Sequence, residues 1–208
     1  GIELSLSGLH LLALGTRAGI PNAAYRGSWE ATGQLVRALA SGQSTGTPPF
    51  LVASLPEYWR YHWGPDLGTL VQWGVRGFEI WTSSPRAMDF PEPLRRAVIG
   101  RCRLDGLAMF AATDMHGLGY AATAWNVTRI AGWRQLGAGE LSAVLVAKFQ
   151  REGPDANRVV VLRRWIPEIP AQAVVAVPLN LVLLLRTASP AHAASLLGWI
   201  WVGALLSG

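Results

Sequence analysis

A chain of 208 residues, half of them hydrophobic, is long enough for one sizeable core and an appendage. Its net charge of +5 rests almost wholly on arginine, with Lys148 the only lysine, and the arginines are dispersed along the chain. That dispersal excludes a basic stripe, so no nucleic-acid partner is expected, and the arginine bias suits a GC-rich bacterial genome. Cys102 stands alone, which excludes a disulfide framework and a thiolate zinc site built from this chain. No initiator methionine and no signal-peptide pattern occur at Gly1, so the chain reads as the later part of something longer.

Strand and helix alternate from the start. "GIELSLS" and "LHLLALG" read as strands, "SWEATGQLVRALASG" as a helix stopped by glycine, and "PFLVASLP" as a buried strand. A helix follows around "LGTLVQWGV", then a strand "GFEIW", a helix within "EPLRRAVIGRCRLDG", a strand "LAMFAAT" and a helix "GELSAVLVAKFQREG". Repeated strand–helix succession predicts a mostly parallel α/β sheet or barrel. The division is an α/β domain over 1–150, a basic connecting segment over 151–169 and a hydrophobic tail over 170–208.

The tail changes character because "AQAVVAVPLNLVLLL" and "AASLLGWIWVGALLSG" carry no charge and are parted by "RTASPAH". Two short membrane-spanning helices are the expectation, each close to the lower limit of about 17 apolar residues that a bilayer demands. A buried core helix pair is the other reading, since Pro178 and Asn180 interrupt the first segment. Trp199, Trp201 and the arginines at 158, 163, 164 and 186 stand where interfacial anchors belong. A membrane location follows, a bacterial inner membrane in particular, with the side undetermined.

Two pairs of residues carry the candidate chemistry. Asp114 and His116 follow "LAMFAAT", and active-site groups of α/β folds collect at the carboxyl ends of strands. If the strand runs on, i and i+2 face one side, and a carboxylate and an imidazole converge as zinc, manganese or iron would require. A turn aspartate with a satisfied histidine is the other reading. In "GIELSLSGLHLLALG", a tight hairpin with Ser7 and Gly8 in the turn pairs Ser5 with His10 and leaves Glu3 on the same face, diagonal to His10. Glu3 and His10 are therefore either a second ligand pair or a solvated edge carboxylate beside a capping histidine.

The order "GIE", a histidine opening "HLLALG", "LVASLP", "GVRGFEIW" and "TDMHG" resembles the polymerase and histidinol phosphatase (PHP) superfamily of metal-dependent phosphoesterases, over roughly residues 1 to 150. The resemblance implies a distorted, here partial, α/β barrel, followed in this chain by the transmembrane helical hairpin. It implies two or three divalent metal ions, zinc, manganese or iron, that activate a water to attack the phosphorus of a phosphate ester. By motif matching Glu3 would be a bridging carboxylate, His10 a ligand, and Asp114 with His116 the last ligand pair. The substrate would be a phosphorylated small molecule or a lipid phosphate.

The chain departs from that pattern in two places. No His-x-His precedes Glu3, and Leu55 stands before Pro56 where the family has a histidine. His62 and Glu57 lie nearby, but four ligands are the most this chain offers, enough for one metal ion. The rival reading is a degenerate, non-catalytic PHP-like scaffold that binds a partner or ligand at the membrane. No G-x-S-x-G elbow or phosphate-binding loop occurs, so a serine hydrolase and a nucleotide-loop enzyme are set aside. Trp125 and Asn126 are close enough to the candidate site to line a pocket, with packing as the alternative role.

Overall fold

The computed structural model describes residues 1–6, 8–16, 19–20, 28–43, 45–54, 64–82, 92–112, 124–161, 178, 181–182, 186 and 190–207. The first hairpin joins β1 (Ile2–Leu6) to β2 (Leu9–Leu14) with Ser5 opposite His10, the register read from the sequence. Gly8 takes φ +93° in the turn, a left-handed conformation that glycine adopts without a Cβ clash.

Helix α1 (Trp29–Ala40) starts where the Ser28 hydroxyl accepts the Ala31 N–H, and it leads into β3 (Phe50–Ser54). Helix α2 (Leu67–Trp73) is capped by Asp66, whose carboxylate accepts the Thr69 N–H at 2.6 Å and is held below the usual carboxylate range by that bond. β4 (Gly77–Thr82), α3 (Glu92–Asp105) and β5 (Ala108–Ala112) follow. A short ribbon of β6 (Ala124–Val127) and β7 (Arg158–Val161) brackets α4 (Ala138–Glu152), and α5 (Pro190–Ser207) lies in the tail.

The five-stranded sheet has the order β1-β2-β3-β4-β5, antiparallel through β3 and parallel from β3 to β5. Alternation sorts its side chains onto two apolar faces. Leu4, Leu6, Leu9, Leu11, Leu51 and Phe78 form one core with Val36 and Leu39 of α1, Leu70 of α2, and Val98 and Cys102 of α3. Phe50, Val52, Ala108 and Phe110 face the other way and meet Phe149, Leu145 and Val146 of α4. Helices thus cover both faces of the sheet.

The expected barrel does not form, and the sheet is mixed where a mostly parallel one was expected. β1 and β5 are the two edges of an open sheet and do not pair with each other. The face that a barrel would turn inward carries Phe50 and Phe110 and is packed against a helix, so closure has no space to enclose. Strand–helix alternation is the same for open and closed sheets, which is why the local pattern did not separate them.

The chain divides into two compact units, Gly1–Leu162 and Arg163–Gly208. The expected transmembrane hairpin is also corrected, because no helix among the described residues is long and apolar enough to cross a membrane. The 18 residues of α5 rise about 27 Å, short of the roughly 30 Å hydrocarbon core, and they include Pro190 and His192. The first of the two expected segments falls largely outside the described residues.

Candidate functional site

One face of the sheet changes character along its strands. In β3 the residues on the α4 side run Phe50, Val52, Ser54; in β2, which is antiparallel to it, the same direction in space reads Leu14, Leu12, His10. β4 repeats the change from Gly77 to Glu79, and β1 contributes Glu3 and Ser5. Helix α4 packs over the apolar end. A polar strip of Glu3, His10, Ser54 and Glu79 therefore crosses the carboxyl end of the parallel strands, where α/β folds place their ligands.

The strip is organised as two bonded pairs. His10 Nδ1 lies 2.6 Å from Glu3 Oε1, the diagonal contact expected of this register, with both side chains partly exposed. A carboxylate on one ring nitrogen fixes the imidazole's orientation and tautomer. Two strands away, the Ser54 hydroxyl donates to Glu79 Oε2 at 2.6 Å, and Glu79 is only 4% exposed. A carboxylate buried to that degree is sustained by hydrogen bonds, since desolvation otherwise drives it to neutrality.

Glu79 also lines a cavity of about 570 Å³ between the sheet, α4 and the segment that leaves β6. Phe110 and Phe149 line it with ring centroids 5.0 Å apart at 79°, an edge-to-face contact. Leu12, Leu14 and Leu145 line it as well, as does Trp133, which is more than half exposed. Asn126 closes the cavity against the sheet edge. Its carboxamide accepts the Ala111 N–H at 2.9 Å and donates to the Ala111 carbonyl at 2.8 Å, replacing the strand that β5 lacks on that side. Trp125, on the opposite side of the ribbon strand, is exposed.

Of the sequence-derived ligands, Glu3 and His10 are brought together. Asp114 and His116 lie outside the described residues, as do Leu55, Glu57 and His62. Among the described residues no group of three or more histidine, cysteine, aspartate or glutamate side chains gathers as a metal site. Sequence reading passed over Glu79 and Ser54. The signal for Glu79 was present, one charge inside the otherwise apolar strand "GFEIW", but it was absorbed into the strand assignment. Asn126 was placed near the pocket without its role in holding the sheet edge. Set against known protein families, curated proteins and solved structures, the chain matches none of them.

Proposed function

We propose that the chain is a metal-dependent phosphoesterase-like domain that hydrolyses a phosphate ester, with Glu3, His10, Asp114 and His116 as the metal-binding set. The observation that carries this reading is the Glu3–His10 pair at the carboxyl end of the sheet, on the same face as Ser54 and Glu79. A carboxylate and an imidazole suit zinc, manganese or iron, so the two residues fit the group, although they do not complete its coordination. When bound, the metal would supply an activated water and offset charge on the phosphoryl oxygens. Glu3 would hold the His10 ring in orientation.

The rival reading, a non-catalytic binding domain, is favoured by Leu55 at the position where the PHP pattern has a histidine. Elemental analysis of the purified chain beside the Asp114→Ala/His116→Ala and His10→Ala variants separates the two. Near-stoichiometric zinc, manganese or iron that is lost in both variants supports the phosphoesterase reading. Metal absent from the native chain, or retained at the same level in both variants, refutes it.

A further inference from the structure

Helix α5 is apolar along its length and open on most of its sides. No charged residue occurs between Pro190 and Ser207, and the run from Leu196 to Leu206 holds only aliphatic residues, tryptophan and glycine. Leu197, Ile200, Trp201, Val202 and Leu205 are nevertheless exposed, Trp201 by 70% and Leu205 by 76%. A helix of this kind is at home where an apolar medium replaces water. What covers it follows from the angles. At about 100° per residue the exposed side chains run from Ile200 through Leu197, Trp201 and Leu205 to Val202, an arc of about 200°. A helix that packs on one neighbour needs an apolar stripe of about 100°, and a two-helix seam needs a narrower one. A second copy of α5, or a groove on another protein, would leave about half of that arc in water. A fluid hydrocarbon layer covers all of it.

We propose that α5 is held in the hydrocarbon layer of a phospholipid bilayer, which it is too short to cross, and so keeps the chain at a membrane surface. An α-helix satisfies its own backbone hydrogen bonds in such a layer, and Pro190 at the first position brings no N–H that would go without a partner. The rest of the tail agrees. Leu181 and Val182 are nearly half exposed, and Arg186, between them and α5, is exposed and suits the phosphate level of a bilayer. None of the metal-binding set lies in the tail, so this assignment stands or falls separately from the phosphoesterase reading.

The test is flotation of the full chain with vesicles of phosphatidylcholine, which carry no net charge. The native chain should float with the vesicles and stay with them at high salt, because apolar burial is not screened. Leu197→Glu/Trp201→Glu/Leu205→Glu should lower the partition coefficient about a hundredfold or more, since each large apolar side chain is worth about tenfold. Ile200→Glu/Val202→Glu makes the same test from the two flanks of the arc if the first variant fails to fold. Leu104→Glu, at a side chain 80% exposed in the other unit, should leave flotation within about twofold of native. A native chain that stays out of the vesicles, or is released by salt, would overturn the proposal. So would α5 variants that float as well as the native chain, or a Leu104→Glu loss equal to theirs. A native dimer that ignores vesicles and that the α5 variants turn into monomer would give the helix to a second copy instead.

Discussion

Asn126 is the most exposed test of how the sheet edge is held. Ala111 sits in the last strand of the sheet, 7% exposed, and its outward N–H and C=O are bonded by one carboxamide at 2.9 and 2.8 Å. Asn126→Ala removes both bonds, and with them the longer bond that Asn126 Oδ1 accepts from Asn157 Nδ2 at 3.2 Å. The two to Ala111 are worth about 0.5–1.5 kcal/mol each net, so their loss should cost about 1–3 kcal/mol. The lower half of that range is favoured because the adjoining cavity admits water, which can replace a partner. For a unit of this size each kcal/mol moves Tm by roughly 2–4 °C, so melting should fall by about 2–12 °C. Hydrogen exchange localises the effect. The Ala111 amide should exchange about ten- to a hundredfold faster in the variant, since 1.4 kcal/mol is a decade, while amides of β2 and β3 in the sheet interior change only by the global loss. Asn126→Asp separates the two bonds, because a carboxylate still accepts the Ala111 N–H but opposes its carbonyl with oxygen. That variant should keep the Ala111 protection and still lose stability. Unchanged Ala111 exchange in Asn126→Ala would refute the bridging role, whatever happened to Tm.

Two further outcomes follow from the packing. Gly153 has φ +53°, and a Cβ there would lie 2.2 Å from the Gly106 carbonyl oxygen, a backbone atom that cannot turn aside, so Gly153→Ala should cost about 3 kcal/mol or more. Urea unfolding checks it, and a midpoint equal to that of the native chain would mean that the two loops are not in contact. Cys102 is fully buried, and its thiol is pushed up to about 12 by burial and, secondarily, by the charge of Asp105. Against an ordinary thiol near 8.5, the thiolate at pH 8 is scarcer by about three decades, so iodoacetamide should label Cys102 in urea and hardly at all in the native chain. Native labelling within tenfold of the unfolded rate would contradict its place in the core.

Local order was legible because local physics specifies it. The Ser7–Gly8 turn sets the hairpin register, that register puts Glu3 and His10 on one face, and the 2.6 Å contact follows from it. Ser28, Asp66 and Gly137 begin their helices where capping chemistry allows. Closure was not legible. Whether β1 and β5 meet depends on what fills the face between them, and Phe50, Phe110 and Phe149 come from three elements up to a hundred residues apart. β7 escaped notice for a related reason, since its four residues "RVVV" carry arginine at the entry and pair only with the equally short β6. Asn126 holds the edge through a side-chain to main-chain bond, which has no periodic signature to read.

The polar residues at the carboxyl end of this sheet come at a cost in stability. Glu79 occupies a strand position between Phe78 and Ile80, almost wholly removed from water, where an apolar side chain would pack without desolvating a polar group. Its hydrogen bond from Ser54 offsets part of that desolvation, but a matched apolar pair would need no such offset, so stability alone does not account for a carboxyl group there. Three strands make the same change from apolar to polar at the same height, β2 at His10, β3 at Ser54 and β4 at Glu79, and the helix that covers the face stops short of them. One such residue could be an accident of packing. Three in register, beside a cavity lined in part by Phe110 and Phe149, describe a surface kept polar against the preference of the fold, and departures of that kind are where sequences set aside stability for chemistry or recognition.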